Sequence, residues 1–179
     1  MVYLFLADGF EEIEAFAPVD ILRRAGVQLA TVGVGGRQIK GAHGIAVTAD
    51  LLESDVSREK MEMVILPGGM PGTKNLERSP SVRGSLEYCA RNGKYIAAIC
   101  AAPSILGHMG LLKGQSAVCF PGYENELGAN SVLHDPVCVS GKFVTARGAG
   151  VAVEFALQLA EILAGTEKSC NIRNNIQCI

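Results

Sequence analysis

The sequence has no excess of basic residues, no apolar run long enough to cross a bilayer and no segment that resembles a signal peptide. Its formal net charge of −2 removes the electrostatic footprint of a protein that binds nucleic acid or an anionic membrane surface. The longest apolar region, residues 95–112, is broken by Pro103 and by several small or polar residues, so it is not a membrane span. The apolar run at residues 1–7 is too short for a signal-peptide core, and no basic segment precedes it. We therefore expect a cytoplasmic protein with no nucleic-acid or membrane partner.

The six cysteines form no C-x-x-C pair, and no spacing of cysteine and histidine matches a metal site. A chain of 179 residues can bury its core without disulfides, so reduced thiols are expected. The dinucleotide fingerprint G-x-G-x-x-G is also missing, since Gly33-Val34-Gly35 continues as Gly36-Arg37-Gln38 and no helix is predicted after it. The sequence thus predicts neither a metal nor a cofactor.

Apolar strand-like segments alternate with helical segments along the chain. Strands are predicted at residues 2–6, 27–34, 63–66, 94–99, 116–120, 137–139 and 143–145, with a short hairpin at 38–47. Helices are predicted at residues 11–24, 80–92, 151–164 and from Cys100 to about 112, and surface or loop segments at 50–62 and 121–135. This alternation is typical of an α/β fold with a doubly wound, mainly parallel sheet sandwiched by helices. One domain spanning residues 1–179 is expected, with a polar tail from about residue 166 whose structure the sequence leaves open.

Cys100 stands where an apolar stretch meets a run of small residues. The residues before it suit a buried strand, and Pro103 is tolerated in the first turn of a helix. Ala98 and Ala102, two positions on either side of Cys100, allow a sharp strand-to-helix turn of the nucleophile-elbow kind. A helix N-terminus stabilises an anion, so the thiolate form is expected to be favoured there. Cys100 is therefore the candidate nucleophile, and the alternative is a small buried hydrophobic residue.

Two further stretches follow predicted strands. Residues 8–14 place three glutamates at the start of a helix, and the glycine-rich turn at residues 67–72 follows another strand. Because sites in doubly wound sheets form beyond the carboxyl ends of the strands, both stretches are expected to converge with Cys100. Gly69 and Ala101 would then offer backbone N–H groups to an oxyanion or to a cysteine sulfinate, unless they serve only as turn residues.

Together these stretches resemble the DJ-1/ThiJ/PfpI superfamily, in particular its ThiJ-like, Parkinsonism-associated deglycase branch. The similarity runs from Val2 to about Ala164. It rests on Asp8-Gly9-Phe10-Glu11-Glu12-Ile13-Glu14, Pro18-Val19-Asp20-Ile21-Leu22-Arg23-Arg24-Ala25-Gly26, Leu66-Pro67-Gly68-Gly69, Ala97-Ala98-Ile99-Cys100-Ala101-Ala102-Pro103 and Thr145-Ala146-Arg147-Gly148.

The resemblance implies a flavodoxin-like sandwich, also found in class I glutamine amidotransferases, that is usually a homodimer and needs no cofactor. In that family the elbow cysteine is the reactive nucleophile and a glutamate of the first helix bonds to it, which carries over to Cys100 and Glu14. Several members act on methylglyoxal or glyoxal, as glyoxalases or as deglycases of glycated proteins. The implied enzyme forms a Cys100 hemithioacetal with a small reactive aldehyde, and Glu14 moves its protons. Other members are oxidative-stress sensors or chaperones, which implies oxidation of Cys100 as the alternative function.

Two departures from the family pattern bear on the chemistry. Ala101 stands where the peptidase-like branch carries histidine, which disfavours a peptidase or amidase. Some members bring another histidine to the cysteine from the region that corresponds to residues 121–134, where this chain has only His134. The state of Glu14 is also open: it is a solvated helix-start carboxylate, a proton donor to the thiolate, or an anion that repels it. The sign of the Cys100 pKa change in Glu14→Leu separates the last two.

Overall fold

The computed structural model of the protein describes residues 1–178, in which strands and helices alternate. The strands are β1 (Val2–Leu6), β2 (Leu29–Gly33), β3 (Gln38–Lys40), β4 (Ala46–Thr48), β5 (Leu51–Leu52), β6 (Met63–Leu66), β7 (Tyr95–Ile99), β8 (Ser116–Ala117), β9 (Ser131–Val132), β10 (Val137–Ser140) and β11 (Phe143–Ala146). The α-helices are α1 (Glu12–Arg24), α2 (Gly72–Arg78), α3 (Pro80–Arg91), α4 (Pro103–His108), α5 (Ala152–Ala164) and α6 (Thr166–Asn175). Among these residues, no helix combines the length and the hydropathy needed to cross a lipid bilayer.

Seven strands form the main sheet in the order β10-β11-β7-β6-β1-β2-β5. Neighbouring strands are parallel except at the β10–β11 edge, which is a hairpin. The chain order of the strands reverses at β1, β6 and β7, which lie side by side in the middle of the sheet. Their carboxyl ends therefore bring the segments that follow them to the same edge.

The two faces of the sheet carry separate hydrophobic cores, because alternate residues of a strand point to opposite sides. Leu4 packs in one core with Leu22 of α1 and Phe155 of α5. Its neighbour Phe5 packs in the other core with Leu86 of α3. Helices thus cover both faces, which confirms the predicted doubly wound, flavodoxin-like α/β fold.

Local sequence signals account for several of these elements. Helix α3 begins with Pro80 at its first position, and the Ser79 side chain caps it by accepting a hydrogen bond from the Val82 N–H. The predicted hairpin at residues 38–47 is present as the antiparallel pair β3–β4. Helix α1 runs through Pro18, which has no N–H to donate back to the Glu14 carbonyl.

Two boundaries differ from the prediction for physical reasons. The helix after Cys100 ends at His108 rather than near residue 112, because the chain turns at Gly110 with a left-handed φ of 69°. The strand predicted at residues 116–120 stops at Ala117. Beyond it, Val118 donates its N–H to the Thr145 hydroxyl and Phe120 donates to the Cys100 carbonyl, so this segment follows the end of the sheet instead of joining a strand.

Four elements were missed. The surface segment 50–62 contributes β5, a two-residue edge strand beside β2. The glycine-rich turn leads directly into α2, which the sequence signals did not indicate. The polar tail forms α6, which packs on α5 through the buried Ile172 and through Ser169, whose hydroxyl donates to the Leu157 carbonyl. The predicted loop at residues 121–135 holds one 3₁₀ turn and the fourth missed element, β9, a two-residue strand that pairs with β8.

Candidate active site

Cys100 occupies the turn between β7 and α4 with a φ of 66°. This left-handed conformation is unfavourable by roughly 1–2 kcal/mol for a residue with a side chain. Its N–H donates to the Ala146 carbonyl at 2.9 Å and its carbonyl accepts the Phe120 N–H at 2.8 Å. The backbone is therefore held on both sides, and the strained turn presents the thiol at the carboxyl edge of the sheet, as expected for a nucleophile elbow.

Gly68, at the end of β6, is the point where the three sequence stretches meet. A Cβ placed on Gly68 would lie 2.7 Å from the Cys100 Cβ, 2.7 Å from Glu14 Oε2 and 3.1 Å from Cys100 Sγ. Since real Cβ atoms do not approach other atoms so closely, only glycine allows the thiol and the carboxyl group to share this space. The predicted convergence of residues 8–14, the glycine-rich turn and Cys100 is what the structure contains.

Glu14 projects from the first turn of α1 into the interior and is 1% exposed. Its Oε2 accepts the Gly68 N–H at 2.8 Å, and the Cys100 thiol and the Ala149 N–H lie close enough to lower its pKa. Burial raises its pKa to about 7, although these hydrogen bonds act in the opposite direction. Glu14 is therefore not a solvated helix-start carboxylate, and it changes protonation near neutral pH.

The pKa of the Cys100 thiol is raised to about 12, first by burial and then by the charge of Glu14. The expectation that the helix N-terminus would favour the thiolate is therefore wrong in direction. Helix α4 has only six residues, whereas the carboxylate is in hydrogen-bonding contact with the thiol. Of the two open states, the structure favours mutual repulsion of two anions when Glu14 is ionised. The pair therefore holds two protons below about pH 7 and a single proton, on the thiol, above it.

Gly69 and Ala101 lie on either side of the thiol. Their backbone N–H groups bond to Cys100 and lower the pKa of its thiol, in opposition to burial. Gly69 has a φ of 89°, and a Cβ there would lie 2.6 Å from the Gly9 carbonyl oxygen, so the turn requires glycine. The two residues are thus placed to donate to a negative charge that develops at or next to Sγ.

Neither His108 nor His134 belongs to the site formed by Cys100 and Glu14. The exposed His134 side chain makes no hydrogen bond or ion pair within residues 1–178, and only its carbonyl accepts a hydrogen bond, from Arg147. The His108 ring lies between two carboxylates, with Nδ1 2.6 Å from Glu77 Oε1 and Nε2 3.2 Å from Glu126 Oε2. Neither bonds to Cys100 or Glu14, so the described part of the chain offers no Cys-His pair.

One cluster has the composition of a metal site. Donor atoms of Glu11, Glu12 and His43 lie within 4.8 Å of one another. His43 Nδ1 is 2.9 Å from Glu12 Oε2 and 3.4 Å from Glu11 Oε2. The hydrogen bond to Glu12, and then the charges of Glu11 and Glu12, raise the His43 pKa and favour the imidazolium form.

Sequence reasoning missed three neighbours of the site. The Ala149 N–H bonds to Glu14, Phe120 is fastened to the Cys100 carbonyl, and Tyr123 lies close enough for a Cys100 anion to raise the pKa of its phenol. The turn Arg147-Gly148-Ala149-Gly150 is recognisable in the sequence and could have indicated Ala149. Nothing in the sequence indicates the other two, because they reach the site from a loop whose path depends on the sheet beneath it.

Comparison with known proteins gives a consistent result. The model of the DJ-1/PfpI family matches residues 1–162. "Protein dj-1beta" of Drosophila melanogaster is 38% identical over 168 residues, which cover 92% of this chain and 90% of that protein. The Caenorhabditis elegans protein "Glutathione-independent glyoxalase DJR-1.2" is 33% identical over 161 residues, covering 89% and 86% of the two chains. The solved structure "Toxoplasma gondii DJ-1, oxidized" superposes with a TM-score of 0.94 at 37% identity and covers 98% of this chain and 97% of that one. The chain therefore belongs to the DJ-1/PfpI family.

Proposed function

We propose that this protein is a cysteine-dependent, cofactor-independent glyoxalase that converts a 2-oxoaldehyde such as methylglyoxal into a 2-hydroxy acid. The observation that carries the proposal is the contact between Cys100 and Glu14, a buried carboxyl group whose pKa is about 7. Such a group can accept and return protons at neutral pH. The name of the related C. elegans protein, a glyoxalase independent of glutathione, supports this reaction.

In the first step the ionised Glu14 accepts the Sγ proton while Sγ attacks the aldehyde carbon. A C–S bond forms, the π electrons of the carbonyl move to its oxygen, and that oxygen takes the proton from Glu14 to give a hemithioacetal, which leaves Glu14 ionised again. Activation by an adjacent base replaces activation by a lowered thiol pKa, which the burial of Cys100 prevents. The N–H groups of Gly69 and Ala101 would stabilise the oxygen as its charge develops.

In the second step Glu14 removes the proton from the former aldehyde carbon and delivers it to the neighbouring carbon, while the proton of the hemithioacetal hydroxyl passes to the former ketone oxygen on that neighbouring carbon. The product is a thioester of the 2-hydroxy acid on Cys100. Water then cleaves the C–S bond, with its hydroxyl going to the acyl carbon and its proton to the sulfur. The sum is one 2-oxoaldehyde plus one water giving one 2-hydroxy acid, with no oxidant, reductant or second thiol.

Lactate formation from methylglyoxal tests the proposal directly. The purified protein is expected to produce lactate at catalytic turnover, and Cys100→Ser is expected to produce none. Cys170→Ser, which changes an exposed thiol, is the matched control and should retain activity. No lactate from the unchanged protein, or equal lactate from Cys100→Ser, would overturn the glyoxalase. If an aldehyde attached to a protein amine is a better substrate, the same chemistry makes the protein a deglycase.

A redox sensor or chaperone is the second candidate, and the printed name of the T. gondii structure describes an oxidised form. In this role peroxide would oxidise Cys100 to a sulfinate, held by the N–H groups of Gly69 and Ala101. The raised pKa of Cys100 weighs against it, because peroxide reacts with the thiolate. Rapid conversion of Cys100 to the sulfinate by stoichiometric peroxide, together with no lactate formation, would favour the sensor.

We also propose that the protein is a homodimer whose two-fold contact includes the N-terminal part of α1. Ile13 on α1 and Ile45 in the adjoining β3–β4 turn are large exposed apolar side chains, and Val153 is exposed on α5, which packs beside α1. Light scattering is expected to give about twice the chain mass of 18.9 kDa, and Ile13→Glu is expected to give the single-chain mass. A single-chain mass for the unchanged protein at micromolar concentration would contradict the dimer.

A further inference from the structure

Phe120 is a large apolar residue that remains 48% exposed although its backbone is fixed at the candidate site. Its N–H donates to the Cys100 carbonyl at 2.8 Å, and its carbonyl accepts the Tyr123 N–H. The chain around it is therefore held by the same turn that positions the thiol. Leaving a phenyl ring half in water costs hydrophobic free energy, and a ligand that covered the ring would recover it.

The ring is one wall of a pocket of about 460 Å³ whose other walls are Pro121, Arg147 and residues 148–151. A Cβ on Gly148 would lie 3.2 Å from Phe120 Cδ2 and 3.8 Å from Glu14 Oε1. The ring and the carboxyl group therefore both lie next to Gly148. Two residues of the pocket adjoin the reacting pair: Phe120 donates its N–H to the backbone carbonyl of Cys100, and the Ala149 N–H lies close enough to Glu14 to lower its pKa.

The chemistry of the pocket selects its ligand. Arg147 is the single ionisable residue among those lining it, its side chain is directed to the His134 carbonyl at 3.4 Å, and the remaining walls are apolar or glycine backbone. The volume falls in the range of about 300–1,000 Å³ usual for small-molecule sites, and it exceeds what a three-carbon aldehyde fills. An apolar substituent attached to the reacting aldehyde is the group that fits.

We propose that Phe120 is the specificity-determining residue of the reaction, and that its ring binds an apolar or aromatic substituent on the 2-oxoaldehyde. This inference rests on the proposed function, since it names the substrate class of the same site. An aromatic substituent gains both buried area and an offset or edge contact with the ring. Glyoxal, which carries hydrogen in place of the substituent, gains neither. Phe120 therefore determines which aldehyde is preferred and takes no part in proton transfer.

Paired kinetics with phenylglyoxal and glyoxal test the proposal, because both present the same aldehyde to Cys100. In Phe120→Ala, kcat/KM for phenylglyoxal is expected to fall about tenfold, equivalent to about 1.4 kcal/mol, while kcat/KM for glyoxal is nearly unchanged. Val139→Ala removes an equally exposed apolar side chain from the edge strand β10 and should alter neither. Equal losses for both aldehydes, or no loss for phenylglyoxal, would overturn the proposal.

A second measurement separates this proposal from the proposed function. Cys100 is alkylated with 2-bromoacetophenone or with iodoacetamide, which form a C–S bond and release bromide or iodide, and the rates are followed by mass spectrometry. Phe120→Ala is expected to lower the ratio of the aromatic to the small reagent about tenfold, and Phe120→Leu to lower it less. A lowered ratio without aldehyde turnover keeps the apolar subsite and removes the glyoxalase. An unchanged ratio refutes the subsite whether or not the protein is a glyoxalase.

Discussion

Glu12 and Glu14 lie two residues apart in the first turn of α1, yet their carboxyl groups have opposite properties. Burial alone would raise the pKa of Glu12, but hydrogen bonds from the His43 ring and from the N–H groups of His43 and Ile45 hold it below the usual value. Glu14 is buried against the Cys100 thiol, and its pKa is raised to about 7. The surroundings of the first carboxyl group stabilise its ionised form, whereas the second is a neutral-range acid and base.

The difference shows what turns a buried carboxylate into a reactive one. Around Glu12 the β3–β4 turn supplies several hydrogen-bond donors, including the ring of His43, whose pKa is raised first by its bond to Glu12. Around Glu14 there are backbone donors, no cation of residues 1–178 contributes to its pKa, and Glu11 adds further negative charge. Many fixed hydrogen-bond donors stabilise the ionised form of a carboxyl group and make it inert in proton transfer. Where such donors are few, the carboxyl group can gain and lose its proton near neutral pH.

The largest expected difference between the two glutamates is in catalysis. Glu14→Gln removes the proton acceptor and is expected to lower kcat/KM for methylglyoxal by about 100-fold or more. Glu12→Gln should leave it nearly unchanged, because that side chain faces the hairpin. In the unchanged protein kcat/KM is expected to rise as the pH passes about 7, where Glu14 ionises. Equal losses in the two variants would show that both act only by holding α1 in place.

The next effect is on stability. Glu14 has a pKa of about 7 when folded and 4.5 as its ordinary value, so the native state binds the proton more tightly. Between pH 4.5 and 7 the unfolded chain ionises first, and the free energy of unfolding falls by about 3 kcal/mol as the pH rises through this window. Glu14→Gln should abolish that fall, so the stability of the variant relative to the unchanged protein should be greater at pH 8 than at pH 5. Urea unfolding of both proteins at the two pH values measures it, and parallel pH curves would contradict the buried carboxyl group.

A smaller change is expected in the thiol itself. The charge of Glu14 raises the pKa of Cys100, so Glu14→Gln is expected to lower that pKa by about one unit, while burial still holds it above the ordinary value. Thiolate absorbance against pH, with Cys100→Ser subtracted to remove the other thiols, gives the shift. A rise in the pKa would mean that Glu14 is a proton donor to the thiolate, and no change would mean that the two groups do not interact.

The smallest effect belongs to Glu12. Its lowered pKa means that its contribution to stability is present above the ordinary carboxyl pKa and is lost as the pH falls through the lowered value. Glu12→Gln should therefore flatten stability at acidic pH, opposite in direction to Glu14→Gln, because it removes the acceptor for the β3–β4 turn. Thermal unfolding between pH 3 and pH 6 compares the two, and a Glu12→Gln profile that parallels the Glu14→Gln profile would remove the distinction.

Local patterns in the sequence were enough for the framework of this protein. Apolar runs of four to six residues precede Gly9, Gly68 and Cys100, and they predicted buried parallel strands. A sheet that is covered on both faces needs continuous apolar strands, and the carboxyl ends of such strands meet at one edge. Ser79 and Pro80 marked a helix start that the structure contains. The polar α6 and the short α2 were not predicted, since their apolar faces are too small to produce a periodic signal.

Tertiary structure alone decided the chemistry of the site. The residues by themselves left Glu11, Glu12 and Glu14 equivalent, and only the family resemblance singled out Glu14. The sign of the Cys100 pKa shift depends on burial and on a carboxylate 86 positions away in sequence, and local helix-end reasoning gave the wrong sign. Phe120 reaches the site because its N–H meets the Cys100 carbonyl at the end of the sheet. Strand and helix propensities are local and so can be taken from sequence, whereas desolvation and charge interactions depend on which distant groups folding brings together.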